Sequence, residues 1–138
     1  MGSKEVKNMQ TSAYGMSKVL DCSFEDAIEK VTEELACEGF GILTEIDVKA
    51  TLKKKLDVEF TTYRILGACN PHFAHKALQA EQEIGLLLPC NVIVYEDEGK
   101  ITVSILDPMA IFSLVKREDV KPLAEEVKSK LTNVLERL

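Results

Sequence analysis

The sequence predicts one α+β domain in which helices stack on one face of a mostly antiparallel sheet of about five strands. Three observations favour this fold class. Segments in which apolar and polar residues alternate are interleaved with segments of helical periodicity. An acidic turn at residues 96–100 connects two of the alternating segments as an antiparallel hairpin. The chain has 138 residues, which is enough for one hydrophobic core but not for two.

The N-terminal part of the chain leads into a strand and a helix. Residues 1–10 are expected to be a flexible N-terminus, so that the domain spans residues 11–138. Residues 14–20 are weakly strand-like and stop before Ser23, whose hydroxyl can accept a hydrogen bond from a free helix amide. The helix that begins there ends at Gly39, which accommodates a left-handed backbone. Its apolar residues follow the offsets of one helical face: Phe24, Ala27, Ile28, Val31 and Leu35.

The middle of the chain contains two more strands and two more helices. Residues 41–46 alternate as a strand does, and residues 47–56 form a short amphipathic helix. Residues 60–66 are rich in β-branched and aromatic side chains, which favours a third strand. The dipeptide Asn70–Pro71 then predicts a helix over residues 72–83, because asparagine caps exposed amides and proline suits the first helical position.

The C-terminal third contains the hairpin and the longest helix. Residues 92–95 and 101–106 are its two strands, and the second alternates strictly between apolar and hydroxyl side chains. Asp107 and the proline after it end that strand. Residues 109–114 form a helical turn, and apolar residues at helical spacing predict a long amphipathic helix over residues 118–138.

Charge and cysteine usage restrict the classes of partner. Seventeen basic and twenty-three acidic residues give a net charge of −6, which argues against nucleic-acid binding through phosphate neutralisation. The most apolar window, residues 84–95, contains Gly85, Pro89 and Asn91 and is shorter than the roughly 20 residues that cross a membrane. Four scattered cysteines in a chain that does not need disulfides favour a reducing cytoplasm. We therefore expect a cytoplasmic protein without nucleic-acid or membrane partners.

Two turn segments stand out because each places a cysteine and an asparagine around a proline. They are Ala68-Cys69-Asn70-Pro71 and Leu88-Pro89-Cys90-Asn91, and both lie at strand ends. If the two strands are neighbours, the turns meet at one rim beside the free amides of the helix at 72–83, which would favour an anion or lower a thiol pKa. The candidate ligand-binding residues are Cys69, Asn70, Pro71, Pro89, Cys90 and Asn91.

Three interpretations of this rim remain open. The asparagines and prolines can be caps and the cysteines small buried residues. The rim can be a ligand site, or a reactive site in which Cys69 and Cys90 act as thiols of a redox protein or enzyme. It can also bind a metal through Cys69, His72, His75 and Cys90, although this spacing is not a recognised zinc signature. No glycine-rich phosphate loop, HExxH, nucleophile elbow or CxxC is present, and no cofactor is indicated.

These same segments resemble the domain of unknown function 302 family, whose hallmarks are an Ala-Cys-Asn-Pro turn before a helix, a Leu-Leu-Pro-Cys-Asn segment leading into a strand, and a later Asp-Pro. The sequence has Ala68–Pro71, Leu87–Asn91 and Asp107–Pro108 at these places. The resemblance covers most of the chain and implies a curved antiparallel sheet similar to the TATA-box-binding-protein-like fold, assembled as a homodimer. It implies no established reaction, and His72 is not part of the motif.

The leading hypothesis is a small cytoplasmic homodimer that binds a small ligand or a partner at the rim formed by Cys69–Pro71 and Pro89–Asn91. A thiol-dependent enzyme or redox protein that uses Cys69 and Cys90 is the first alternative. A metal-binding module is the second. Sharing a fold class with a DNA-bending protein does not imply DNA binding in a chain of this acidity.

Overall fold

The computed structural model describes residues 9–138, and this part of the chain forms six strands, five α-helices and one 3₁₀ helix. The strands are β1 (Met9–Thr11), β2 (Gly15–Leu20), β3 (Gly41–Asp47), β4 (Tyr63–Cys69), β5 (Cys90–Asp97) and β6 (Lys100–Leu106). The helices are α1 (Phe24–Cys37), α2 (Val48–Leu56), α3 (Pro71–Ala80), α4 (Pro108–Val115) and α5 (Lys121–Glu136). The 3₁₀ helix, Gln82–Leu87, lies between α3 and β5.

All six strands belong to one open sheet in the order β1-β2-β6-β5-β4-β3, and every neighbouring pair is antiparallel. The predicted α+β class with an antiparallel sheet is therefore confirmed, with six strands instead of about five. The additional strand is β1. Met9 and Gln10 belong to it rather than to the flexible segment predicted for residues 1–10, because Met9 packs against the main core. The rest of that segment lies outside the described residues.

The main core lies between one face of the sheet and helices α1 and α5. Strand alternation directs apolar side chains of β2, β4, β5 and β6 into it. The largest fully buried side chains include Leu35, Leu66, Ile105, Leu131 and Leu135. Lys18 of β2 is also buried, and its Nζ donates to the carbonyl oxygens of Leu135 and Glu136 at 3.2 and 3.3 Å. The lysine thus satisfies carbonyls at the C-terminus of α5, where a positive charge is favoured.

A second, smaller apolar cluster occupies one end of the sheet. Its buried members are Ala77, Ile84, Ile111 and Val120, from α3, the 3₁₀ helix, α4 and the start of α5. These elements meet there because β4 ends, β5 begins and β6 ends at the same end of the sheet. No helix within residues 9–138 has both the length and the apolar character that crossing a membrane requires.

Several local signals act as the sequence predicts. The Ser23 hydroxyl accepts a hydrogen bond from the amide of Asp26 at 3.1 Å, and Gly39 ends α1 with a φ of +86°. Asp107 does more than stop β6, because its carboxylate accepts from the amide of Met109 at 2.9 Å and caps α4.

Several predicted boundaries move. Strand β4 begins at Tyr63 instead of residue 60, and β5 begins at Cys90 instead of residue 92. Strand β4 continues past residue 66 to Cys69, because it keeps pairing with β5 as far as Ala68. The helix predicted over residues 72–83 ends at Ala80, since Glu81 adopts an extended backbone and its carboxylate accepts from the amide of Glu83. The chain then continues as the 3₁₀ helix.

Replacing Gly67 with alanine is expected to destabilise the fold. An added Cβ would overlap the hydroxyl of Thr44 on β3 and lie 2.8 Å from Cγ of Pro89, so two neighbouring segments would have to shift. We expect Gly67→Ala to lower the free energy of unfolding by about 1–3 kcal/mol in urea denaturation. Gly85→Ala is the matched control, because its Cβ would lie 3.6 Å from Leu78 in ordinary contact. Equal stability of the two variants would contradict the prediction.

Candidate functional site

The two motif-bearing turns lie side by side at one corner of the sheet. In the pairing of β4 with β5, Ala68 lies opposite Cys90 and Gly67 lies opposite Asn91. Cys69, the last residue of β4, is therefore next to the first residue of β5. Asn70 and Pro71 follow directly as the N-cap and first residue of α3.

A cavity with a volume of about 70 Å³, partly open to solvent, lies at this corner. It is bounded by α3, α5 and the ends of β4 and β5, at the junction of the two apolar clusters. Four of the six predicted ligand-binding residues line it: Cys69, Asn70, Pro89 and Cys90. Pro71 and Asn91 do not, since both are exposed and strand alternation directs Asn91 to the opposite face from Cys90.

The rest of the lining is apolar and was not identified as part of a site from the sequence. It comprises Phe40, Ala68, Phe73, Ala74, Ala77, Ile84, Leu88, Pro108, Ile111, Val120, Leu123, Ala124 and Val127. In the sequence these residues have the helical or strand periodicity of ordinary core positions. No local signal distinguishes an apolar residue that lines a cavity from one that fills a core.

Asn70 does not act as the cap that the sequence predicts. Its side chain makes no capping hydrogen bond to α3, so that prediction is wrong. Instead its Nδ2 donates to the carbonyl oxygen of Glu38 at the end of α1, over 3.3 Å. Gly39 makes room for this contact, because a Cβ there would lie 2.9 Å from Nδ2. A long-range acceptor therefore replaces the local amides as the partner of this side chain.

The Oδ1 of Asn70 has no hydrogen-bond partner. Asn70 is only 8% exposed, and within residues 9–138 its Oδ1 is the one buried side-chain nitrogen or oxygen atom without a partner. The hydrogen bond from Nδ2 to Glu38 orients the amide group, so the remaining atom is the acceptor oxygen. Asn70 is thus a cavity-lining residue with an unpaired acceptor, and that oxygen itself is closed off from solvent.

Unused donors lie beside it at the N-terminus of α3. Pro71 has no N–H, and the amide of Ala74 donates to the carbonyl oxygen of Asn70 at 2.9 Å. The backbone amides of His72 and Phe73 have no acceptor in the part of the chain that the structure describes. Phe73 and Ala74 both line the cavity, so the first turn of α3 borders it.

The four cysteines are free thiols with different surroundings. Cys22 and Cys37 are exposed, whereas Cys69 and Cys90 are partly buried. Burial raises the pKa of the Cys90 thiol to about 11, and the neighbouring Cys69 contributes in the same direction. The expectation that helix amides would lower a thiol pKa at this rim is therefore not met for Cys90.

The residues suggested for a metal do not converge. His72 and His75 are exposed on α3, while Cys90 faces the cavity. Residues 9–138 contain no group of three or more histidine, cysteine, aspartate or glutamate side chains that could hold a metal ion. The metal-binding alternative is not favoured by this geometry.

Comparisons with known proteins agree with the resemblance read from the motifs. A family model described as "Domain of unknown function DUF302" matches residues 16–138. A crystal structure of an uncharacterized conserved DUF302 protein from Bacillus stearothermophilus is similar to this chain at 27% sequence identity and a TM-score of 0.85. The alignment covers 91% of this chain and 98% of that one. No curated protein matches the chain.

Cys90 is expected to react slowly with thiol reagents in the folded protein. At pH 8 a thiol with a pKa of about 11 has roughly 100-fold less thiolate than one at the ordinary value of 9.0. Alkylation by iodoacetamide, followed by peptide mass mapping, should modify Cys22 and Cys37 first. The rate at Cys90 should increase as the pH approaches 11, because deprotonation supplies the nucleophile. Unfolded protein is the control, and equal rates at Cys22 and Cys90 in the folded state would contradict the prediction.

Proposed function

The chain belongs to the DUF302 family, and from that premise we propose that it is a small-molecule-binding domain whose ligand occupies the cavity at the corner of β4 and β5. The observation that carries this proposal is the cavity itself, whose mostly apolar wall includes the buried polar side chain of Asn70. Ligand sites combine mostly apolar walls with a few placed polar groups, which is the composition of this lining.

An unpaired acceptor is costly in a folded protein. Leaving a buried polar atom without a hydrogen bond costs about 1–3 kcal/mol, and such atoms are rare in native structures. A side chain of similar size without a free oxygen would avoid this cost, yet the chain has Asn70 here.

The two alternative functions have less support. A thiol-dependent reaction needs a thiolate, and the raised pKa of Cys90 opposes its formation at neutral pH. A metal site needs several converging ligands, whereas His72 and His75 lie on the exposed side of α3. Reversible binding without covalent chemistry fits the cavity lining better than a thiol-dependent reaction or a metal site.

We place this domain in the cytoplasm as a homodimer. The four free cysteines are compatible with a reducing compartment. The outer face of the sheet, which we define by Ile46, Ile65, Ile93, Tyr63 and Tyr95, is the surface that a second copy would cover. These side chains alternate with those of the main core and therefore project from the opposite side of β3, β4 and β5.

Two aligned rows of the outer face contain side chains without formal charge. One row runs across five strands: Ile46, Ile65, Ile93, Ser104 and Ser17. The next row contains Tyr63 and Tyr95, whose rings stack with centroids 5.4 Å apart. Two copies of a chain with net charge −6 repel each other, and these uncharged rows are where they can approach most easily.

Filling the cavity should weaken ligand binding. The probe is methyl pentyl ether, which is uncharged, mostly apolar and small enough to place part of its chain in the cavity. Titration followed by ¹H–¹⁵N NMR should give saturable shifts confined to residues that line the cavity, with a millimolar dissociation constant. Ala74→Leu on α3 adds three carbon atoms to the cavity wall and should weaken binding by about tenfold or more.

The matched control is Gln79→Leu, because Gln79 is exposed on the same helix and does not line the cavity. This variant should bind the ether as the wild-type protein does. Shifts spread over the whole surface, or equal binding by Ala74→Leu, would refute the cavity as the site.

Sedimentation velocity tests the assembly. The wild-type protein should sediment as a dimer at micromolar concentration, and Ile46→Lys should shift it to a monomer by placing a charge on the outer face. Leu86→Lys is the control, because Leu86 is an exposed leucine on the 3₁₀ helix and not on a strand of the sheet. A monomeric wild-type protein would contradict the dimer proposal. A dimeric Ile46→Lys variant would show that the interface lies on another surface.

A further inference from the structure

We infer that this cavity binds the end of an unbranched hydrocarbon chain, so that its ligand is an aliphatic molecule that enters chain first and keeps its polar part outside. The inference rests on the proposed function, since it specifies the ligand of the same site. It names alkyl and acyl chains as the ligand class and excludes aromatic rings and branched chain ends. The polarity of the wall, the origin of the space and its volume support this inference in turn.

Among residues 9–138, no side chain in the cavity wall offers a charge or a free strong hydrogen-bonding group. Only Cys69, Asn70 and Cys90 have polar side chains in the lining. The Asn70 Nδ2 is bound to the carbonyl oxygen of Glu38, and its Oδ1 is closed off from solvent. A polar group of the ligand would lose its hydrogen bonds to water here without replacement, so hydrocarbon is the part that gains from enclosure.

The two thiols of the lining do not change this conclusion. A thiol is a weak donor and a weak acceptor of hydrogen bonds. Burial raises the pKa of the Cys90 thiol to about 11, so this side chain is uncharged at neutral pH. An uncharged thiol packs against hydrocarbon as a small apolar group does.

Alanines on three different elements leave the space that the chain end occupies. Ala74 and Ala77 lie three residues apart on α3, and Ala68 on β4 and Ala124 on α5 also line the cavity. Ala68, Ala77 and Ala124 are buried, so this part of the wall belongs to the protein interior. A ligand reaches it from the open side of the cavity, with one end first.

The volume of the cavity limits the enclosed part to a few carbon atoms. Its 70 Å³ is about half of the roughly 150 Å³ that holds the six carbons of benzene in an engineered protein core, which leaves room for about three carbon atoms. An aromatic ring or a tert-butyl group has to enter as a unit, because its carbons cannot be divided between cavity and solvent. An unbranched chain inserts the carbons that fit and leaves the others, with the polar end, outside.

The test compares two isomers, methyl pentyl ether and methyl neopentyl ether, which have the same atoms and differ only in the branching of the hydrocarbon. Anisole, the methyl ether of a phenyl ring, is the third probe. Each is titrated into the full ¹⁵N-labelled chain and followed by NMR. One enclosed methylene is worth about fourfold in affinity, so the loss of two makes the branched isomer and anisole bind about tenfold more weakly than the pentyl ether.

Phe73→Ala should remove this selectivity. Phe73 lines the cavity from α3, and its truncation adds a space of the size of a phenyl ring, which brings the volume into the range that holds benzene. Anisole and the neopentyl ether should then bind about tenfold more tightly than they bind the wild-type protein. Leu78→Ala is the matched control, because Leu78 is exposed on the same helix and does not line the cavity, and it should leave all three affinities unchanged.

The comparison of the isomers in the wild-type protein decides the inference even if Phe73→Ala does not fold, which its NMR spectrum reports. Equal affinity of the two isomers, tighter binding of anisole, or no gain in a folded Phe73→Ala would overturn the inference and leave the proposed function intact. Binding of none of the three probes would overturn both.

Discussion

The antiparallel register between β4 and β5 is the constraint on which the candidate site depends. Because Ala68 lies opposite Cys90, the chain leaves the sheet after Cys69, forms α3 and the 3₁₀ helix, and returns beside the point of departure. Gly67 permits this return, since Thr44 and Pro89 occupy the space that a side chain would need. Shifting the register by one residue would reverse the faces of Cys90 and Asn91 and remove Cys90 from the cavity.

Asn70 connects three elements through one side chain. It follows β4, precedes α3 and donates to the carbonyl oxygen of Glu38 at the end of α1. The contact requires Gly39, whose φ of +86° ends α1 and whose missing Cβ leaves space for Nδ2. Because the side chain donates to the end of α1, it does not cap α3. The unused amides of α3 and the unused Oδ1 of Asn70 therefore have the same cause.

Burial and the helix dipole act in opposite directions on the thiols at this corner, and burial dominates at Cys90. A rise in the Cys90 pKa from 9.0 to about 11 corresponds to about 3 kcal/mol against the thiolate. A helix N-terminus contributes roughly 0.3–1 kcal/mol in the other direction. The apolar wall of the cavity disfavours a thiolate at Cys90. For the same reason it disfavours an anionic ligand. A neutral ligand is consistent with the raised pKa of Cys90 and with the apolar wall.

The sequence by itself determined the features that depend on neighbours within about four residues: the Ser23 cap, the stop at Gly39, the alternation of β6, and the helices α1 and α5. Its motifs also indicated the family and the pair of turns. Only the tertiary structure decided that Asn70 binds Glu38, thirty-two positions away, instead of capping α3. The cavity likewise appears only after folding, because its walls come from several elements whose apolar residues have the same periodicity whether the space between them is filled or empty.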